Sequence, residues 1–191
     1  MTGSGLDWLS SAYGEGFCLI LAKGMNERDL MTRMGANPET ARPMTRQEAI
    51  SLELNSVDEG PILQYGTSDN WAFCLQCWGD YGMQPGFAEN ASKGSQAAVI
   101  SRLESGVSRL KLAEDGVVTF DVDLSMLDEA AGSGSVEYGS GLAAYTRPDS
   151  GGAWISATGA LRFLSSILNA DIPESAVLEN QLLSLRIPSR A

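Results

Sequence analysis

Polar and apolar positions alternate with a period of two over several short stretches of this chain. The strongest such stretch covers residues 71–78, WAFCLQCW. Trp71, Phe73, Leu75 and Cys77 form one set, and the opposite set of Ala72, Cys74, Gln76 and Trp78 is also mostly apolar. Side chains two apart share a face of a strand, so this pattern predicts a central strand with helices over one face and a shield over the other. Residues 17–22, FCLILA, have the same character and predict a second buried strand. Residues 62–65 are expected to pair with 71–77 across the turn residues Gly66, Asp69 and Asn70. Further strands are expected at 96–102, at 108–112 with Arg109 and Lys111 outward, at 117–123 and at 183–187, with Asp115-Gly116 as a hairpin turn.

Between these stretches the period lengthens to that of a helix. Asn26 is an N-cap, Glu27 and Asp29 suit the positive end of the helix dipole, Leu30, Met31 and Met34 make an apolar side, and Gly35 stops the turn. Thr45 with Glu48 has the spacing of a capping box, ahead of Ala49, Ile50 and Leu52. Residues 158–169 predict an amphipathic helix with Leu161, Leu164, Ile167 and Leu168 inward and Arg162 outward. A short helix follows Pro173 and carries Val177 and Leu178. Residues 1–15 are expected to be a poorly ordered lead-in whose Leu6, Trp8 and Leu9 could dock onto the body. Residues 16–191 are expected to form one domain. The Gly-, Ser- and Ala-rich stretch 130–152 predicts a long connection around residues 136–145. The sum is a single α+β domain, an antiparallel sheet with helices mainly on one face.

Charge narrows the partners. Thirteen Lys and Arg against 24 Asp and Glu give a net charge of -11, and the basic residues form no run. Nucleic-acid affinity comes chiefly from basic side chains that displace counterions, so no nucleic-acid partner is expected. A basic protein or a cation is what such a surface attracts. The longest apolar run covers only residues 17–22, and the first residues have neither a basic n-region nor an apolar core. No membrane span and no signal peptide are expected, and the odd count of three cysteines fits a reducing, cytoplasmic setting.

Candidate chemistry begins with an absence. The chain has no histidine, which excludes Ser-His-Asp and Cys-His nucleophile pairs and a His general base. Cys74 and Cys77 have C-x-x-C spacing, but on a strand residues three apart point to opposite faces, so core thiols are expected, with neither redox nor metal duty. Residues 139–144 match G-x-G-x-x-A by letter, yet no strand precedes them and Pro148 follows closely, so a connector is expected and no cofactor. Asp121 and Asp123 share a strand face near Glu114 and Asp115, a set that a solvated face and a turn explain.

The pattern FCLILAKGM, an acidic helix with MGA, the Trp-rich strand, LAEDGVVTFDVD and GALRFLSSILNADIP resembles an uncharacterised family of small bacterial proteins, a domain of unknown function. That resemblance implies a single α+β domain and brings no catalytic residue to carry over. The remaining candidate surface is the glycine-rich loop with Trp78, Asp80, Tyr81, Met83 and Phe87, either a lid on the core or a contact surface for a protein partner. The expectation is a non-enzymatic binding module, of the immunity or regulatory-inhibitor kind. The alternative is a carboxylate- or cysteine-based enzyme or metal-binding protein. No catalytic residue, metal ligand or cofactor is assigned.

Overall fold

The structure, a computed structural model, describes residues 5–146 and 154–188. The seven period-two stretches become strands, and residues 42–44, where none was expected, add an eighth among the described residues: β1 (Phe17–Lys23), β2 (Arg42–Met44), β3 (Ile62–Ser68), β4 (Trp71–Gln76), β5 (Gln96–Arg102), β6 (Ser108–Glu114), β7 (Val117–Asp123) and β8 (Leu182–Arg186). They form one sheet in the order β2-β8-β3-β4-β1-β5-β6-β7, antiparallel throughout. The two strands with the richest apolar pattern, β4 and β1, therefore sit at its centre. Two elements arrive from a distance in sequence. The first strand inserts between β4 and β5, and the last inserts between β2 and β3. Both outer edges are blunted, as exposed strand edges must be to avoid further pairing. Pro43 lies in three-residue β2, and Asp121 of β7 exchanges backbone hydrogen bonds with Ala131.

Among the described residues seven α-helices cover the sheet: α1 (Leu9–Ala12), α2 (Glu27–Arg33), α3 (Arg46–Leu54), α4 (Phe87–Ser92), α5 (Ser135–Ala143), α6 (Ala157–Leu168) and α7 (Glu174–Leu178). On the first face Phe17, Leu19, Leu21, Trp71, Phe73, Leu75, Ile100 and Phe120 meet side chains from α1, α5, α6 and α7, and Ile50 of α3 touches its margin. On the second face Cys18, Ile20, Ala22, Ala72, Cys74, Ala97 and Val99 meet α2, α4 and a 3-10 turn at Tyr81–Met83. Helices thus lie mainly on one face, and a thinner layer closes the other.

Local signals explain the boundaries. Asn26 caps α2 by accepting from Asp29 N–H, and Gly35, at φ +79°, lets Ala36 N–H reach back to Met31 O and Gly35 N–H to Thr32 O. Thr45 and Glu48 form the reciprocal capping box of α3. Asp115 and Gly116, both at positive φ, make the two-residue hairpin turn between β6 and β7.

Four expectations need correction. Residues 5–15 are not a loose lead-in: Leu6, Trp8 and Leu9 do dock onto the body, Tyr13 joins them in the core, and Trp8 Nε1 donates to Ile172 O at 2.8 Å. Gly66 is not a turn residue. It lies inside β3 opposite Phe73, where a β-carbon would come within 3.0 Å of the Phe73 ring. The stretch around residues 136–145 is not a connection but α5, held by Leu142 in the core, Tyr138 edge-on to Phe120 and Gly141 close against the Phe163 ring. Pro148, Gly151 and Gly152 fall outside the described residues. Ile167 is 40% exposed, because the buried stripe of α6 centres on Ala160, Leu161, Phe163 and Leu164, and Ile167 lies at its flank.

Candidate functional site

Where β4 leaves the sheet, the backbone carries Gln76, Cys77 and Trp78 into the glycine-rich loop. Gln76 is buried and bridges two neighbours: its amide nitrogen donates to Glu53 of α3 at 3.3 Å, and its oxygen accepts from Tyr81 N–H at 3.1 Å. Gly79, at φ +85°, lies so close that a β-carbon would come within 2.7 Å of the Gln76 amide nitrogen. The loop is therefore pinned at its root. Gly82 presses directly on the second face, where a β-carbon would come within 2.7 Å of Ile20 and 3.0 Å of Cys18 Sγ. Tyr81 and Phe87 pack with ring centroids 4.8 Å apart, Phe87 is buried, and Met83 joins the same cluster. Lys111, expected to point outward, instead reaches over to donate to Met83 O at 3.2 Å, with Asp121 3.8 Å away.

The loop residues therefore separate. Tyr81, Met83 and Phe87 form a lid over small side chains of the sheet. Asp80 is exposed beside them. Trp78 turns away to the opposite flank, where it lines two adjoining hollows. One is a groove of ≈ 430 Å³ that it shares with Glu15, Leu54, Gly79, Leu103, Glu104 and Ser105. The other is a cavity of ≈ 310 Å³ bounded by Tyr13, Glu15, Arg46, Ile50 and Cys77 among others. Trp154, also partly exposed, lies in a separate hollow with Arg102 and Leu124.

Sequence reasoning missed the neighbours of Trp78. Leu54 comes from the end of α3 and is 55% exposed, and Leu103 and Glu104 come from the turn between β5 and β6. Tyr13 arrives from the segment read as a lead-in, and Arg46 from the first turn of α3. The Arg46 guanidinium lies 4.2 Å from the centre of the Tyr13 ring, and its Nη2 donates to Ala12 O. The available signal was the apolar set Leu6, Trp8 and Leu9, which could dock onto the body, but nothing in the residues placed Tyr13 against Arg46.

The thiols are poor nucleophiles. Cys74 faces the second side of the sheet and Cys77 the first, and all three cysteines are free and buried. Burial pushes the Cys18 and Cys77 thiols up to about 12 and raises Cys74 well above the usual range, so hardly any thiolate exists near neutral pH. Asp121 is paired with Arg109 and Lys111, and Asp123 accepts from Ser125. Among the described residues no three Cys, Asp or Glu side chains gather as metal ligands, and no helix is long and apolar enough to cross a membrane. Residues 139–144 of the G-x-G-x-x-A match lie within and at the end of α5, where Gly141 serves packing.

This architecture can be set against known proteins. A family described as a family of unknown function, DUF6461, matches residues 6–136. The chain belongs to DUF6461. The part shared with DUF6461 takes in β1 to β7, the Tyr13–Arg46 cavity and the whole aromatic loop, and stops short of α6, α7 and β8. No curated protein and no solved structure matches the chain.

Proposed function

We propose that this chain is a non-catalytic protein-binding module, of the regulatory or immunity kind, whose contact surface is the shelf around Trp78. The observation that carries this reading is a groove lined by both apolar and acidic side chains: Leu54, Trp78 and Leu103 with Glu15 and Glu104. Large apolar side chains that face water together are a common mark of a contact site. Carboxylates in its lining, on a chain of net charge -11, select a partner whose docking segment is basic. The buried, protonated thiols and the lack of histidine weigh in the same direction, because they leave no ready nucleophile beside the groove.

This reading differs from one centred on the whole aromatic loop. Tyr81, Met83 and Phe87 are occupied with the core, so of the five candidate residues Trp78 and Asp80 are left to meet a partner. The test is co-purification from native lysate of the wild-type chain and a Leu54→Asp/Leu103→Asp variant with an unchanged melting temperature. A partner held by the wild type at low salt and lost by the variant is the expected result. A chain that stays a partnerless monomer under several conditions, or a variant that keeps its partner, overturns the proposal.

A further inference from the structure

Trp78 differs from other rings of this chain in the charge around it. Lys23 Nζ lies 5.8 Å from the centre of the Trp71 ring, and the Arg46 guanidinium 4.2 Å from that of Tyr13. Among the described residues no cation lies over Trp78, and the groove it lines carries two carboxylates, Glu15 and Glu104, with no Lys or Arg. Both glutamates are exposed, and neither forms an ion pair among the described residues. The segments meet there because Gly16, next to Glu15, is bare backbone. A β-carbon on it would lie 3.0 Å from Arg102 O, 3.6 Å from Glu104 N and 3.7 Å from Trp78 Cδ1. Arg46 and Arg102 donate to the carbonyls of Ala12 and Ser10 and do not line the groove.

An indole face attracts a cation through its quadrupole, and a carboxylate beside it accepts N–H donors from the same cation. A guanidinium answers both at once, because it is flat, weakly hydrated and carries its donors in a fork. We infer that this groove takes a single arginine side chain of the partner's docking segment, its guanidinium against the Trp78 ring and its N–H groups donating to Glu15 and Glu104. The methylenes of that side chain and an apolar neighbour meet Leu54 and Leu103. The inference rests on the groove being the contact surface, and it adds which residue the partner must present.

The experiment titrates the whole chain with the blocked tripeptide acetyl-Leu-Arg-Leu-amide and with the same peptide carrying lysine or citrulline in place of arginine. The indole N–H resonance of Trp78, assigned with Trp78→Phe, reports binding at this site. Saturable millimolar binding of the arginine peptide is expected, about threefold tighter than the lysine form and about tenfold tighter than the neutral citrulline form. Glu15→Gln and Glu104→Gln, both at exposed positions, keep the melting temperature and each weaken the arginine peptide about threefold, the double variant about tenfold. Equal binding of the arginine peptide and either analogue, an unmoved Trp78 resonance, or full affinity in the double variant overturns the inference. If one of these results stands while Leu54→Asp/Leu103→Asp still loses a native partner, the groove remains the contact surface and only the arginine assignment falls. An arginine preference that the double variant loses supports the assignment. Should Leu54→Asp/Leu103→Asp then keep its native partner, the groove takes its arginine from another source and the partner docks elsewhere.

Discussion

The two faces of the sheet are built from the same strands and filled in opposite ways. On the first face β1 and β4 present Phe17, Leu19, Leu21, Trp71, Phe73 and Leu75, and whole helices stand off at the distance that such side chains impose. On the second face the intervening residues are Cys18, Ile20, Ala22, Ala72 and Cys74, all small but Ile20, and short helices and the backbone of Gly82 settle directly on the sheet. The lesson is that alternation assigns side chains to faces, whereas side-chain volume decides what can cover each face. It also explains the fate of the aromatic loop. A shallow face of small residues accepts rings from above, so Tyr81 and Phe87 close over it, while Trp78, on the far side of the strand exit, has no such seat.

The largest effect that would sharpen this contrast is kinetic. Cys74 lies deep in the thin face and Cys77 at the margin of the cavity, and with its thiol held near 12 Cys77 should react with iodoacetamide about a thousandfold more slowly than free cysteine at pH 8. Mass spectrometry of the native chain should show Cys77 labelled before Cys74, and both labelled at once in denaturant. Equal native rates would break the distinction between the two sites.

Neighbouring residues test the packing directly. Phe73→Ala should leave a cavity under the helical layer and lower stability by about 3–5 kcal/mol in urea melts. Ala72→Leu, one residue away on the other face, should fail by overfilling and lower stability by about 1–3 kcal/mol. A tolerated Ala72→Leu would show that α2 can ride upward and that the thin face is not set by volume. A smaller loss, about 1 kcal/mol, is expected for Asn26→Ala, which removes the N-cap holding α2 over that face.

The smallest effect concerns pH. Burial first of all raises the Glu53 carboxyl above its ordinary value, against the lowering pull of the Gln76 hydrogen bond and Arg186. The folded state therefore holds this proton more tightly than the unfolded chain. Glu53 supports folding most at pH below its ordinary value of 4.5, and that support falls as pH rises through the raised value. Glu53→Gln should flatten this part of the stability profile and leave the acid side nearly unchanged, as read by thermal melts across pH 4–8. An unaltered profile would show that Glu53 is solvated like a surface acid.

Much of the framework was legible in the residues. The caps at Asn26 and Thr45, the Asp115-Gly116 turn and the central places of β1 and β4 rest on local rules, in which a side chain's neighbours in sequence are also its neighbours in space. The failures share a cause as well. Gly66 carries the letter of a turn but sits in a strand to make room for Phe73, and Gly141 lies inside α5 where that helix approaches Phe163 closely. In both cases the reason lies on another segment of chain.

By itself, then, the sequence determined that this is an antiparallel α+β domain with WAFCLQCW at its heart, thiols as packing atoms and an acidic surface. Period, capping and charge act over a few residues or over the whole composition, and both can be read without coordinates. Only the tertiary structure decided that Tyr13, Arg46, Leu54 and Leu103 converge on Trp78 and that the loop rings belong to the core. Convergence of segments that stand tens of residues apart depends on strand order, and strand order is settled by how the two faces pack.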